Sequence, residues 1–329
     1  MNIYKAENEL NKVDTIIDVQ GLVKNYNTHQ AVKGISFQVK RGSLFAFLGT
    51  NGAGKSTTIE ILCTLLEKTS GTIKINGISL GTRKKNELIR KSIGIVFQQS
   101  LLDEKLSVKE NILHRGRLYG FTKQELMKNW DFVKQALHLE EIEHQQYETL
   151  SGGQKRRADI ARAIIHKPDI LFLDEPTTGL DPQTRLFVWD TIKQLQKELN
   201  MTIFLTTHYM EEAAVADEIV IMKEGKIIAA GTPHSLKEHH ASDQLSITFL
   251  EETIGRHLLL EKGLSFTMKN GIFTINVPST LEALQLLKEW EPSIHAFEVI
   301  KGSMDDVFIR LNKEEIGDEQ LIEFSHSAQ

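Results

Sequence analysis

Of the side chains that build disulfides and soft-metal sites the sequence has almost none: Cys63 is its single cysteine in 329 residues. One thiol can neither close a disulfide framework nor supply a cysteine-rich metal site, and a reducing, cytosolic compartment fits. Histidine offers no substitute, because the neighbours His239 and His240 have no third ligand at zinc spacing and read as a solvated helix end. No apolar run approaches the roughly 18 residues that a membrane-crossing helix needs. Met1 to Lys12 mix Lys, Glu and Asn without the apolar segment of a signal peptide, so work at a membrane is expected to go through a partner. The excess of one sign of charge is small too: 39 Lys and Arg against 44 Asp and Glu leave a formal net charge of −5, which gives no electrostatic reason to expect nucleic acid. With 40% hydrophobic and 25% charged residues the balance is that of a globular protein, and 329 residues are long for one core, so two or three folding units are expected.

What is present begins with Gly49-Thr50-Asn51-Gly52-Ala53-Gly54-Lys55-Ser56-Thr57, set between the apolar run Leu44 to Leu48 and the helical pattern Ile59 to Leu66. Strand, glycine loop and helix in that order, with four residues between Gly49 and Gly54-Lys55-Ser56, make the P-loop pattern. Glycines let the backbone turn tightly and bring successive N–H groups to a phosphate oxygen. The helix start adds unpaired N–H groups and the positive end of its dipole. Lys55 would reach the β- and γ-phosphates, and the Ser56 hydroxyl would complete a Mg²⁺ shell of water and phosphate oxygen. The pattern points to a triphosphate site.

Around this loop the chain reads as α/β. Thr15 to Tyr26 and Ile35 to Val39 alternate like half-exposed antiparallel strands, with Tyr26 in the turn between them. There the aromatic either pads the sheet edge or serves a nucleotide. A strand Thr72 to Asn76, a basic helix Arg83 to Lys91 and a buried strand Ile93 to Phe97 follow, ending in Gln98-Gln99. From Ser107 to about His144 the period is helical, which predicts a helical insertion over about 100–165. Strands resume at Ile170 to Asp174 and Thr202 to Thr206, separated by a helix that Pro182 opens, and a hairpin turns at Glu224-Gly225. Thr232 to Gln244 reads as a linker. Beyond it, strands Leu245 to Leu250, Ile272 to Val277 and Ala296 to Ile300 and helices Thr280 to Trp290 and Ser303 to Leu311 predict a small α+β unit over 245–313. The polar tail 1–14 and the acidic tail 314–329 flank these, the second expected to be disordered.

Two further motifs carry chemistry. Four apolar residues run into Asp174-Glu175, where Asp174 can hold Mg²⁺ through water and Glu175 can polarise the attacking water as general base. Taken alone such a pair often caps a helix; with a P-loop on a parallel strand it fits nucleotide hydrolysis. Leu150-Ser151-Gly152-Gly153-Gln154 opens the helix Lys155 to Ile165 and so makes a second anion-binding N-terminus. One bound triphosphate has no evident need for two.

Leu150 to Gln154 resembles the signature motif of ABC-type ATPases. In that family it reaches across a head-to-tail dimer to the γ-phosphate on the partner's P-loop. The resemblance covers about residues 15–240 and implies further roles: Tyr26 is similar to the A-loop aromatic that stacks on adenine. Gln98 resembles the Q-loop glutamine that senses γ-phosphate and Mg²⁺, Asp181 in Gly179-Leu180-Asp181 the D-loop at the dimer seam, and His208 the H-loop histidine. Alone, His208 would be an ordinary strand-end residue. Two positions depart from the family pattern: Thr50 stands where proline is frequent, and Asp159 puts a charge where packing is expected.

The runs Asp174 to Pro182 and Thr206 to Ala213, with Met304 to Phe308, resemble the daunorubicin-resistance type of exporter ATPase. That resemblance implies ATP and Mg²⁺ as cofactors, a second copy of the chain and a separate integral membrane permease as partners, and a peripheral place on the cytoplasmic face of the cell membrane. The exported substrate it implies is an antibiotic, a lipid-like molecule or a peptide. The alternatives are the ATPase of an importer, and a non-transport ABC ATPase acting on ribosomes or DNA. The C-terminal unit carries no catalytic constellation.

Overall fold

The computed structural model describes residues 15–311; the two tails expected at 1–14 and 314–329 lie outside the described residues. The chain divides between Ala230 and Gly231 into two compact units.

The first unit opens with long strands, β1 (Thr15–Tyr26) and β2 (His29–Lys40). Next come β3 (Leu44–Gly49) and helix α1 (Lys55–Leu62), then β4 (Ser70–Ile75) and the short β5 (Ile78–Ser79). After α2 (Arg83–Ser92) runs β6 (Ile93–Val96). Three helices fill the expected helical insertion: α3 (Val108–Arg117), α4 (Lys123–Ala136) and α5 (Gly152–Ile164). The chain returns through β7 (Ile170–Asp174), α6 (Pro182–Leu199), β8 (Thr202–Thr207), the single turn α7 (Met210–Ala213), β9 (Glu218–Lys223) and β10 (Lys226–Gly231).

Two sheets organise these elements. β2-β1-β4-β5 is antiparallel, whereas β10-β9-β3-β8-β7-β6 holds parallel pairs from β9 through β3, β8 and β7 to β6. Strands β3 and β8 are buried at every residue, which is why they read as unbroken apolar runs instead of alternating ones. Aromatic rings join the two sheets: Phe37 of β2 lies 5.6 Å from Phe45 and 5.3 Å from Phe47, and Phe204 lies 5.2 Å from both Phe45 and Phe172. Because the central strands run parallel, their carboxyl ends all open on one side. The loops after β3, β6, β7 and β8 therefore meet there, although the sequence separates them widely.

In the second unit the stretch read as a linker contains a helix, α8 (Pro233–His240). Thr232 caps it by accepting a hydrogen bond from Ser235 N at 3.1 Å, and Pro233 occupies its first turn. His239 and His240 fall in its last turn. An antiparallel sheet follows, of order β12-β13-β11-β14, made of β11 (Asp243–Phe249), β12 (Phe266–Lys269), β13 (Ile272–Val277) and β14 (Ile294–Ile300). Helices α9 (Glu252–Glu261) and α10 (Thr280–Trp290) pack on it around Leu245, Ile247, Phe273, Leu259, Ala283 and Trp290. The short β12 and α9 had no sequence expectation.

Candidate functional site

The loop after β3 takes its shape from two crowded glycines. A Cβ at Gly54 (φ 101°) would stand 2.6 Å from Ala31 O, and one at Gly49 (φ 154°) 2.4 Å from Met222 O. No other residue fits either position without moving backbone. Inside the loop Lys55 is buried, and its Nζ donates to Gly49 O at 2.7 Å and Thr50 O at 3.1 Å. Burial lowers its pKa from the ordinary lysine value, while the carboxylates of Glu175 and Asp174 pull it back up.

An open groove of about 500 Å³ runs beside the loop. Tyr26, Asn51, Gly52, Gly54, Lys55, Ser56, Thr57, Gln98, Asp174 and Glu175 line it, together with His29 and Ala31, which sequence reasoning had passed over. Tyr26 proves to be the last residue of β1, paired with His29, instead of lying in the turn. Its ring is partly exposed, with Lys24 Nζ 5.0 Å from the centroid.

Glu175 leaves the end of β7 in a left-handed conformation (φ 46°), which costs a non-glycine residue about 1–2 kcal/mol. Thr206 on the neighbouring strand holds this turn, because Glu175 N donates to Thr206 O at 3.1 Å and to its Oγ1 at 3.2 Å. The same hydroxyl donates to Asp174 Oδ1 at 2.6 Å. The Glu175 carboxylate meets three side chains: His208 Nδ1 is 3.2 Å from Oε1, while Gln98 Nε2 at 3.4 Å and Thr178 Oγ1 at 3.2 Å donate to Oε2. Among the described residues no group of three His, Cys, Asp or Glu could hold a metal by itself. A divalent cation here would take phosphate and water oxygens, beside Ser56, Gln98 and Asp174.

The second group of sequence-derived residues does not line this groove. Ser151 caps α5 and shares a capping box with Gln154. Gly153 packs against Thr184, whose N–H and hydroxyl both bond Asp181 at 3.0 and 2.5 Å. Ser151 to Gln154 and Asp181 thus form a second cluster, separate from the P-loop of their own chain.

Sequence reasoning also missed Arg156, on the first turns of α5. Its guanidinium is buried and donates to Pro176 O at 2.6 Å, Phe97 O at 2.7 Å and Asp174 O at 3.4 Å. The available signal was the basic run Lys155-Arg156-Arg157 in the first turns of a helix whose remaining residues are mostly small or apolar. Asp159, expected as a misplaced charge, is paired: Ser100 Oγ donates to it at 2.6 Å and Tyr147 OH at 3.2 Å.

A P-loop and an Asp-Glu strand end on a parallel sheet, with polar side chains around the glutamate, define a nucleoside triphosphatase of the cassette kind. Residues 32–178 match the ABC transporter family. The chain is 40% identical over 241 residues to the linearmycin resistance ATP-binding protein of Bacillus subtilis, covering 72% of this chain and 76% of that one. It is 34% identical over 305 residues to the daunorubicin/doxorubicin resistance ATP-binding protein of Streptomyces peucetius, covering 90% and 92%. It is also 32% identical over 309 residues to the Nod factor export ATP-binding protein I of Ralstonia nicotianae, covering 92% and 95%. Among solved structures it is similar to an ATP-binding cassette in a dimeric post-hydrolysis state with ADP and Pi, with a TM-score of 0.60 and 27% identity over 66% of this chain and 98% of that one. The chain belongs to the ABC transporter family and is one of its ATP-hydrolysing subunits.

Proposed function

We propose that this chain powers an exporter whose channel is a separate membrane permease, moving an antibiotic, lipid-like or peptide substrate outward from the cytoplasmic face. The observation that carries the hydrolytic reading is the convergence of His208, Gln98 and Thr178 on the Glu175 carboxylate beside Lys55. Relatives named for linearmycin resistance, daunorubicin/doxorubicin resistance and Nod factor export support the direction.

In this reading the Tyr26 ring carries adenine, and the backbone from Asn51 to Gly54, with Lys55 and Thr57, receives the phosphates. Mg²⁺ beside Ser56, Gln98 and Asp174 would neutralise phosphate charge. Glu175 accepts the proton of the water that displaces ADP from the γ-phosphoryl group. His208 and Gln98 fix the direction of its carboxylate from either oxygen. Ser151, Gly152, Gly153, Gln154 and Asp181 serve the partner's nucleotide in a head-to-tail dimer. The space at Gly152 fits that role, because a Cβ there would meet only Leu180 Cδ2 at 3.6 Å, so its own chain does not require glycine.

No helix among the described residues is long and apolar enough to cross a membrane. A groove of about 520 Å³ supports a permease contact instead. Exposed Leu65, Leu101 and Leu118 line it, with Arg90, Lys91 and Arg115, between α2, the segment after Gln98 and α3. A short apolar helix with acidic residues would match it. The test is a pull-down from detergent-solubilised membranes with tagged Glu175→Gln protein, ATP and Mg²⁺. Recovery of a polytopic membrane protein supports the exporter; recovery of ribosomes or DNA instead would leave the ATPase and remove the permease.

A further inference from the structure

The buried face of α5 carries three ionisable side chains, Arg156, Asp159 and Arg162, each within one turn of the next. None of them belongs to the nucleotide groove. A buried charge is expensive unless every bond it can make is made. Here the bonds run to two particular segments, with Arg162 Nε left without a partner. Arg162 Nη2 donates to Ile95 O at 2.5 Å, and Arg156 Nη1 to Phe97 O at 2.7 Å, so both guanidinium groups hold the strand and loop that present Gln98. Arg156 also binds the carbonyls on either side of Glu175, those of Asp174 at 3.4 Å and Pro176 at 2.6 Å.

Asp159 completes the attachment on the far side of Gln98. Its Oδ1 accepts the Ser100 hydroxyl at 2.6 Å, and the same Ser100 oxygen accepts Leu102 N at 3.2 Å. Its Oδ2 accepts Tyr147 OH at 3.2 Å, from the 3₁₀ turn that leads into Ser151. Burial pushes the Asp159 carboxyl up, whereas the Ser100 hydroxyl, Arg156, Arg162 and Tyr147 pull it down. Burial and the neighbouring Asp159 also push the Tyr147 phenol above its ordinary value, so it remains a donor.

We propose that Arg156 and Asp159 are positioning residues: by clasping the backbone around Gln98, the backbone around Glu175 and the turn before Ser151, they set the Gln98–Glu175 contact from the helix that carries the signature turn. The inference rests on the hydrolytic reading of Glu175. Its consequence is mechanical. Displacement of the Ser151 end of α5, as on meeting a second copy, is transmitted along one helix to both segments that flank the reacting groups. Because the clasp touches neither phosphate nor base, its loss should act on turnover and not on nucleotide affinity.

The test uses the full chain and compares steady-state ATP hydrolysis for wild type, Asp159→Asn, Ser100→Ala, Ser100→Thr and the Ser100→Ala/Asp159→Asn double variant. Expected is a kcat lowered roughly tenfold in Asp159→Asn and in Ser100→Ala, with KM within about twofold and the double variant no slower than the slower single one. Ser100→Thr, which keeps the hydroxyl, should turn over close to wild type. Should Asp159→Asn fail to fold, the partly exposed Ser100 site and its threonine rescue carry the test alone. Wild-type kcat in Ser100→Ala, or losses that multiply in the double variant, would overturn the clasp. Glu175→Gln in the same assay separates the two readings: if it turns over normally the hydrolytic assignment fails, whatever the clasp variants do.

Discussion

Glu175 Oε1 lies 3.2 Å from His208 Nδ1, bringing together the ends of two strands, β7 and β8, that the chain separates by helix α6. Replacing Glu175 by Gln keeps the shape and the acceptor on one side but removes the base. We expect Glu175→Gln to bind ATP as wild type does, to lose turnover by at least about 10²-fold and to accumulate an ATP-held dimer. Single-turnover hydrolysis together with size-exclusion chromatography in ATP checks this, and a native rate would remove Glu175 from the role of base.

Lys55 is satisfied inside its own loop by the carbonyls of Gly49 and Thr50, so the loop is ordered around the ammonium. On the proposed role, Lys55→Ala should delete a charge-assisted phosphate contact worth roughly 1.5–3 kcal/mol, equivalent to about 10- to 150-fold weaker ATP binding. Equilibrium binding of a fluorescent ATP analogue reads the change directly; unchanged affinity would contradict the phosphate role.

A pH dependence comes from His166, which lines the groove beside α2 and is not among the residues of the nucleotide groove. It is buried, stacked 3.9 Å from the Tyr119 ring, and its Nε2 donates to Ile93 O at 3.0 Å while Nδ1 has no partner. Burial lowers its pKa to about 4, with Arg115 and Arg162 adding to the effect and the Ile93 carbonyl opposing it. The folded value is depressed, so the unfolded chain takes the proton first as pH falls below 6.5. The stability this neutral histidine allows is therefore full above pH 6.5 and is lost progressively down to about pH 4. At pH 5 the loss is about 2 kcal/mol. Urea unfolding at pH 7 and pH 5 should show it, and His166→Gln should flatten that part of the profile; an unchanged slope would assign the pH response to other groups.

Neighbouring glycines in the signature turn should respond in opposite ways. A methyl at Gly153 would stand 2.5 Å from Thr184 Cγ2, so Gly153→Ala should lower stability by about 1–3 kcal/mol. Gly152→Ala meets only ordinary contact within its own chain and should unfold at the wild-type temperature. In the proposed head-to-tail dimer it should nevertheless weaken ATP-dependent association, because the added methyl would occupy the approach of the partner's phosphate. Calorimetry and sedimentation of both variants check the pair. A Gly152→Ala dimer as stable as wild type would remove the argument from close approach.

Much of the site was legible in the sequence because its signals are local. The P-loop spacing, the apolar strand that ends in Asp174-Glu175, and the turn before α5 each lie within about ten residues and encode backbone geometry directly. The linker reading of Thr232 to Gln244, a stretch that begins next to the division between the two units, passed over α8, whose signal was also local. Thr232 followed by Pro233 is a cap and first turn, and the polar composition obscured it. β12 was missed because a four-residue strand carries little periodicity, and α9 because its N-cap, Glu251, makes no side-chain capping bond and so gives no start signal.

Asp159 shows where such reading stops. From the sequence it was a charge out of place; in the fold it bonds Ser100 across 59 residues and Tyr147 across 12. By itself the sequence determined the strand–loop–helix turns, the chemistry each turn can offer and the family to which they belong, since each depends on a few adjacent residues. Only the tertiary structure decided which turns share a groove, that Glu175 stands between His208 and Gln98, and that Arg156 and Asp159 join the Gln98 loop to the signature helix. The parallel order of the central strands gathers their carboxyl ends, and a buried charge must find its partners wherever packing delivers them.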